Sequence, residues 1–146
     1  MAAPGEQVSN PITGETVTFR TTSNGGPAKV VELDLDLRPV STPGGMPHRH
    51  RPAERFDVTK GELFAVVGGQ GLVRAKAGET IEIPANRWHM IFSFKRSSAR
   101  VEIAPGMHFD ELIATGAAVA KGDLRGSTLR RLANLLREHA AVPRVP

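Results

Sequence analysis

Polar and apolar residues alternate over residues 29–37. Val31, Leu33, Leu35 and Leu37 fall on one face and Glu32, Asp34 and Asp36 on the other. A period of two marks a strand with one buried face. Shorter extended segments are predicted at 17–20, 54–58, 62–67, 71–76, 80–83, 88–94 and 99–104, punctuated by Gly61, Gly68, Gly69, Gly71, Gly78 and Pro84. Many short strands at close spacing predict an all-β sandwich, barrel or jelly roll. The period changes after Gly106. Residues 109–121 are apolar and alanine-rich, and a second helix capped by Ser127 carries Leu129, Leu132, Leu135 and Leu136 as a stripe. The predicted organisation is a flexible lead-in over 1–15 with a turn at 10–14, a β-body over 16–106, and a helical segment over 107–146 packing on that body.

Composition narrows this picture. A chain of 146 residues fits one domain and is long enough to bury a core without disulfides. The absence of cysteine excludes thiolate zinc sites, Fe–S clusters and cysteine nucleophiles, and the absence of tyrosine excludes tyrosine-based catalysis. No apolar run approaches a membrane span, and residues 1–7 lack the basic and apolar regions of a signal peptide, so a cytoplasmic protein is expected. The 15 glycines and 11 prolines fit tight turns between strands better than a helix bundle. The net charge of +4 comes entirely from residues 121–146, where Lys121, Arg125, Arg130, Arg131, Arg137 and Arg144 outnumber Asp123 and Glu138. A basic tail without interleaved aromatics does not make a nucleic-acid surface, so no nucleic-acid partner is expected.

The candidate chemistry lies in the histidines. His48 and His50 are two residues apart, which in a strand turns both imidazoles to one side. Glu54 begins a new extended run after the bend at Pro52 and can add a carboxylate; His89, on a separate strand candidate, can close the set from across a sheet. Three imidazoles and a carboxylate suit Fe, Mn, Ni, Zn or Cu, and such an open N/O set describes a catalytic site better than a structural one. A His-x-His pair alone equally describes a polar strand at a loop edge. If the four residues face inward, alternation carries Phe56, Val58, Ile91 and Ser93 inward with them, giving a largely apolar pocket. Trp88 then points outward, against the helical segment or a partner subunit. Arg55 and Arg87 become surface charges, His108 precedes the first helix, and His139 is a cation at a helix C-terminus.

The wider pattern is more specific. His48-x-His50-xxx-Glu54-xxxxxx-Gly61, followed by Gly78-xxxxx-Pro84-x-Asn86-xx-His89, resembles the paired signature motifs of the cupin superfamily. Thr42 stands where the first motif usually has glycine, Asn86 replaces the glycine of the second motif's turn, and Ser93 replaces its final asparagine. Asparagine tolerates a left-handed backbone, so that turn is kept. The start NPITGETVTF and the stretch PAERFDVTKGEL resemble small single-domain bacterial cupins of the quercetin-dioxygenase-like type. The resemblance implies a jelly-roll β-barrel with the helical segment appended. It also implies one divalent metal per chain held by His48, His50, Glu54 and His89, and a homodimer to which the Trp88 face contributes. The implied function is a mononuclear, dioxygenase-like enzyme acting on a small apolar or aromatic molecule. There Glu54 doubles as a base that leaves the metal transiently. A redox-neutral isomerase, cyclase or decarboxylase, and a non-catalytic small-molecule-binding cupin, are the alternatives, because the fold does not dictate the reaction.

Overall fold

The computed structural model describes residues 2–24 and 26–139. The 140–146 end of the expected C-terminal segment lies outside the described residues. Among the described residues nine strands and two helices follow one another: β1 (Gln7–Ser9), β2 (Glu15–Thr21), β3 (Val31–Leu37), β4 (Ala53–Lys60), β5 (Glu62–Val67), β6 (Gly71–Lys76), β7 (Thr80–Ile83), β8 (His89–Phe92), β9 (Ser97–Ala104), α1 (Phe109–Ala120) and α2 (Gly126–His139). Each extended segment expected from alternation is a strand. β1 is an addition within 1–15, an edge strand paired to β2 through Val8 and Val17.

The strands form two antiparallel sheets. One runs β1-β2-β3-β9-β4-β7 and the other β6-β5-β8, so the jelly roll is a pair of facing sheets rather than one continuously bonded ring. The small sheet is extended along β8 by isolated bridges from Ser41 to Ser93 and from His48 to His89. The inward residues of both sheets make one core. Val31, Leu33, Leu35 and Leu37 of β3 are buried as their alternation requires, against Phe56, Val58, Ala65, Ile91, Val101 and Ile103.

The turns are built as the glycines and asparagines suggest. Asn10 Oδ1 accepts the backbone N–H groups of Ile12 and Thr13 at 3.0 and 3.2 Å, which makes the expected turn before β2. Asn86 adopts φ 57°, the left-handed conformation the second motif's turn requires.

The helices dock over one end of the β-body. Asp110 in the first turn of α1 is fully buried and accepts both the N–H and the hydroxyl of Ser23 at 3.0 Å. His108, just before α1, bonds Glu138 of α2 at 2.8 Å, and Arg131 of α2 pairs with Glu111 of α1. Leu135 is buried and Leu132 half-buried, whereas Leu129 and Leu136 are exposed, Leu136 at the rim of the cavity it lines with Leu132. Trp88 is 55% exposed and lies 5.5 Å beneath the Arg49 guanidinium, so the helices do not cover it. Arg55 and Arg87 are surface charges as expected. No helix among the described residues is long and apolar enough to cross a membrane.

Candidate metal centre

The pairing of His48 with His89 joins the two motifs. The two backbones exchange N–H···O bonds at 3.0 and 2.9 Å, and the carbonyl of His50 accepts the N–H of Asn86 at 2.8 Å. The left-handed turn at Asn86 therefore sets the height of His89 opposite His48 and His50. Ring centroids of the three histidines lie 4.5–5.3 Å apart. One nitrogen from each falls within 4.8 Å of the others, so a single metal ion can be shared.

Each imidazole is oriented by a bond at its other nitrogen. Nδ1 of His48 contacts the carbonyl of Met46 at 2.8 Å, Nδ1 of His50 that of Pro52 at 2.8 Å, and Nδ1 of His89 that of Arg87 at 2.7 Å. A carbonyl only accepts, so all three Nδ1 atoms carry the proton and leave the Nε2 lone pairs free. The Nε2 atoms of His50 and His89 are buried without a hydrogen-bond partner. Buried orphan acceptors beside rings locked through backbone carbonyls are the arrangement of metal-ligating histidines. The donor set therefore fits a divalent transition metal of the Fe, Mn, Ni, Cu, Zn series. Gly44 is part of this geometry. It has φ 80°, and a Cβ there would lie 2.8 Å from Cε1 of His48.

Glu54 is buried beside the triad. Its Oε1 is 3.1 Å from Nε2 of His50, without the alignment of a hydrogen bond, and its Oε2 is 3.9 Å from Nε2 of His89. Burial pushes the Glu54 carboxyl up, but His50 beside it outweighs burial and holds it below the usual carboxylate range. Burial likewise opposes charge on His50, yet Glu54 and the Pro52 carbonyl raise its pKa above the ordinary histidine value. His89, with less help from Glu54, is pushed down by burial.

The triad opens into a cavity of about 500 Å³, whose size suits a small molecule. Phe56 and Ile91 line it, and Val58 and Ser93 do not. The register explains the difference. Glu54 pairs with Ile103, Phe56 with Val101 and Val58 with Ala99, and the lining stops at the Phe56–Val101 layer. Ser93 is buried elsewhere, contacting the carbonyl of Glu62 at 3.1 Å and the hydroxyl of Ser97 at 2.9 Å.

Several lining residues escaped the sequence reading. Phe109, Leu132, Leu136 and His139 reach the cavity from the helices. His139 is 1% exposed, and burial pushes its pKa down, so it is a neutral cavity residue rather than the solvated helix-terminal cation expected. A signal for it was present, because His139 follows Leu135 by four residues and continues the leucine stripe. Glu15, at the start of β2, is a further wall residue, raised in pKa by burial despite its bond from Thr13.

The profile of the family described as "Cupin domain" matches residues 38–106, the span that holds all three histidines and Glu54. Residues 38–106 form a cupin domain. Solved structures similar to this cupin include an RmlC-like cupin from Shewanella frigidimarina, at 17% identity and a TM-score of 0.58, covering 69% of this chain and 84% of that one. KdgF from Halomonas sp. is similar at 15% identity and a TM-score of 0.57, covering 68% and 88%. A predicted oxalate decarboxylase from Thermotoga maritima is similar at 20% identity and a TM-score of 0.54, covering 68% and 90%. At these identities the likeness is one of fold. No curated protein matches the chain.

Proposed function

We propose that this cupin is a mononuclear metal enzyme whose metal is held by His48, His50, His89 and Glu54, acting on a small, largely apolar or aromatic molecule. The observation that carries this reading is the set of three imidazoles, each locked through Nδ1, facing a mostly apolar cavity with Nε2 free. Bound there, a divalent metal supplies a Lewis-acidic and, for iron, manganese or copper, a redox-active centre. The protein does the rest. Phe56, Ile91 and Phe109 hold the substrate body away from water, and the ionised Glu54 takes a proton from a substrate hydroxyl that turns toward the triad.

The reading is dioxygenase-like: both atoms of O2 enter the substrate, with no external reductant. A redox-neutral reaction at the same centre is the second reading, favoured by the fold shared with a predicted oxalate decarboxylase. Oxygen uptake by the iron- or manganese-loaded protein separates the two, since full turnover without oxygen sinks the first. Metal analysis tests what they share. We expect close to one divalent ion per chain, with occupancy lost in His48→Ala and His89→Ala; full occupancy in both variants overturns the assignment. The same proposal includes a homodimer formed through the outer face of the small sheet, where Phe64, Phe92 and Phe94 form a surface cluster with centroids 5.3–5.7 Å apart.

A further inference from the structure

One buried polar group in the cavity has no part in the metal centre. His139 lies at the end of α2 and is 1% exposed; the backbone of His108 lies beside its ring, but neither Nδ1 nor Nε2 makes a well-aligned hydrogen bond. An unpartnered imidazole in an apolar wall costs stability, whereas a leucine at this position would simply extend the stripe of Leu132, Leu135 and Leu136. The residue is also held in place. Its backbone carbonyl accepts the N–H of Arg51 at 2.8 Å, tying the last turn of α2 to the residue next to His50. Its ring meets the edge of Phe109 at 5.1 Å, and Phe109 in turn meets the ring of His50 at 5.1 Å. The neighbouring carboxylate of Glu138 is engaged by His108 at 2.8 Å and does not serve the His139 ring.

A neutral imidazole offers one donor and one acceptor. Here the ring lines a cavity whose helical wall is otherwise built from Phe109, Leu112, Ile113, Gly116, Leu132 and Leu136. A ligand spanning this cavity meets oxygen-binding chemistry at the triad, apolar surface along its length, and a single hydrogen-bonding point on α2.

We propose that His139 is a specificity residue that hydrogen-bonds an uncharged hydroxyl or carbonyl group on the substrate, remote from the oxygen bound at the histidine triad. The substrate class is therefore bifunctional: an apolar or aromatic body with a metal-binding oxygen at one end and a neutral polar group at the other. This inference rests on the metal reading above and goes beyond it by naming the second recognition point.

The test uses the full chain loaded with zinc, which is redox-inert, and two probes of nearly the same shape. 3,4-Dihydroxyacetophenone carries a ketone where 4-ethylcatechol carries a methylene, and both present paired oxygens to a metal. Dissociation constants from titration calorimetry give a ketone-to-ethyl preference for each protein. That preference is expected to fall about tenfold in His139→Leu, as for loss of one net hydrogen bond, and to recover in His139→Gln. Thermal melts confirm folding, and His139→Leu should melt no lower than the wild type. An unchanged preference in His139→Leu overturns the proposal. So does failure of both probes to bind a wild type that retains its zinc, a result that leaves the metal centre standing. A wild type that retains no zinc overturns the metal reading itself and this inference with it.

Discussion

Each histidine of the triad is aimed by a carbonyl two residues away in sequence, so the triad is assembled from local turns and joined by the His48–His89 pairing and the His50–Asn86 bond. That locality is why the grouping of the three histidines was legible as spacing, while His139, which reaches the cavity through the docking of a distant helix, was not. Protons compete with a metal for Nε2. Burial disfavours charge on His50, but Glu54 beside it prevails and raises its pKa, so protonation of the metal-free site sets in at higher pH than for an ordinary histidine near ~6.5. Lowering the pH through the histidine range is therefore expected to weaken metal binding progressively and then release the metal, as dialysis followed by metal analysis would show. Retention unchanged down to the carboxylate range would contradict it. Gly44 makes a second residue-scale case, because it combines φ 80° with a backbone pressed against the His48 ring. Gly44→Ala should destabilise the fold by roughly 1–3 kcal/mol through backbone strain and also weaken metal binding. A loss of stability with metal affinity intact would separate the backbone role from the ligand role.

At the scale of elements, the strands were legible wherever alternation ran for four residues or more. β1 escaped because Gln7–Ser9 spans only three residues and has no alternation of its own to detect. The helices were legible as elements, but not their placement. A leucine stripe says that a face is buried without naming its partner, and here the partner is the cavity mouth as much as the β-body. The anchor is a polar contact invisible in the pattern: Asp110, fully buried, held by Ser23 from a loop between β2 and β3. Asp110→Ala leaves the N–H and hydroxyl of Ser23 unpaired, and we expect a loss of about 3 kcal/mol. Urea denaturation reads that loss directly. The β-body is expected to keep its histidine triad, so metal binding should persist in the variant, with weaker protection of the cavity from water. A wild-type urea midpoint for Asp110→Ala would show that α1 is held by its apolar contacts alone.

The whole molecule presents two unlike outer faces, and the contrast bears on assembly. The outer face of the large sheet is a ladder of opposite charges, with Asp34 between Arg20 and Arg100 at 2.6 and 2.7 Å and Asp57 beside Arg55 at 3.1 Å. Such a surface is satisfied in water, and its pairs add little to stability. The small sheet's outer face carries Phe64, Phe92 and Phe94 in mutual contact, with Phe94 63% exposed, Leu72 66% and Val66 47%. Contiguous apolar surface of this kind marks an interface. A two-fold axis fits it well, because an apolar face matches its own copy without needing a complementary charge pattern, while Glu62, ion-paired to Arg74 and Lys95, supplies a polar rim. The homodimer proposal therefore makes a definite claim about mass. Light scattering on the wild type should give twice the chain mass of 15.7 kDa, and Phe92→Asp, which sets a charge in the middle of the aromatic cluster, should give a monomer. Arg100→Ala on the opposite face should leave the dimer intact. A wild type that runs as a monomer across micromolar concentrations, or a dimer lost through Arg100→Ala and kept in Phe92→Asp, would place assembly elsewhere on the molecule.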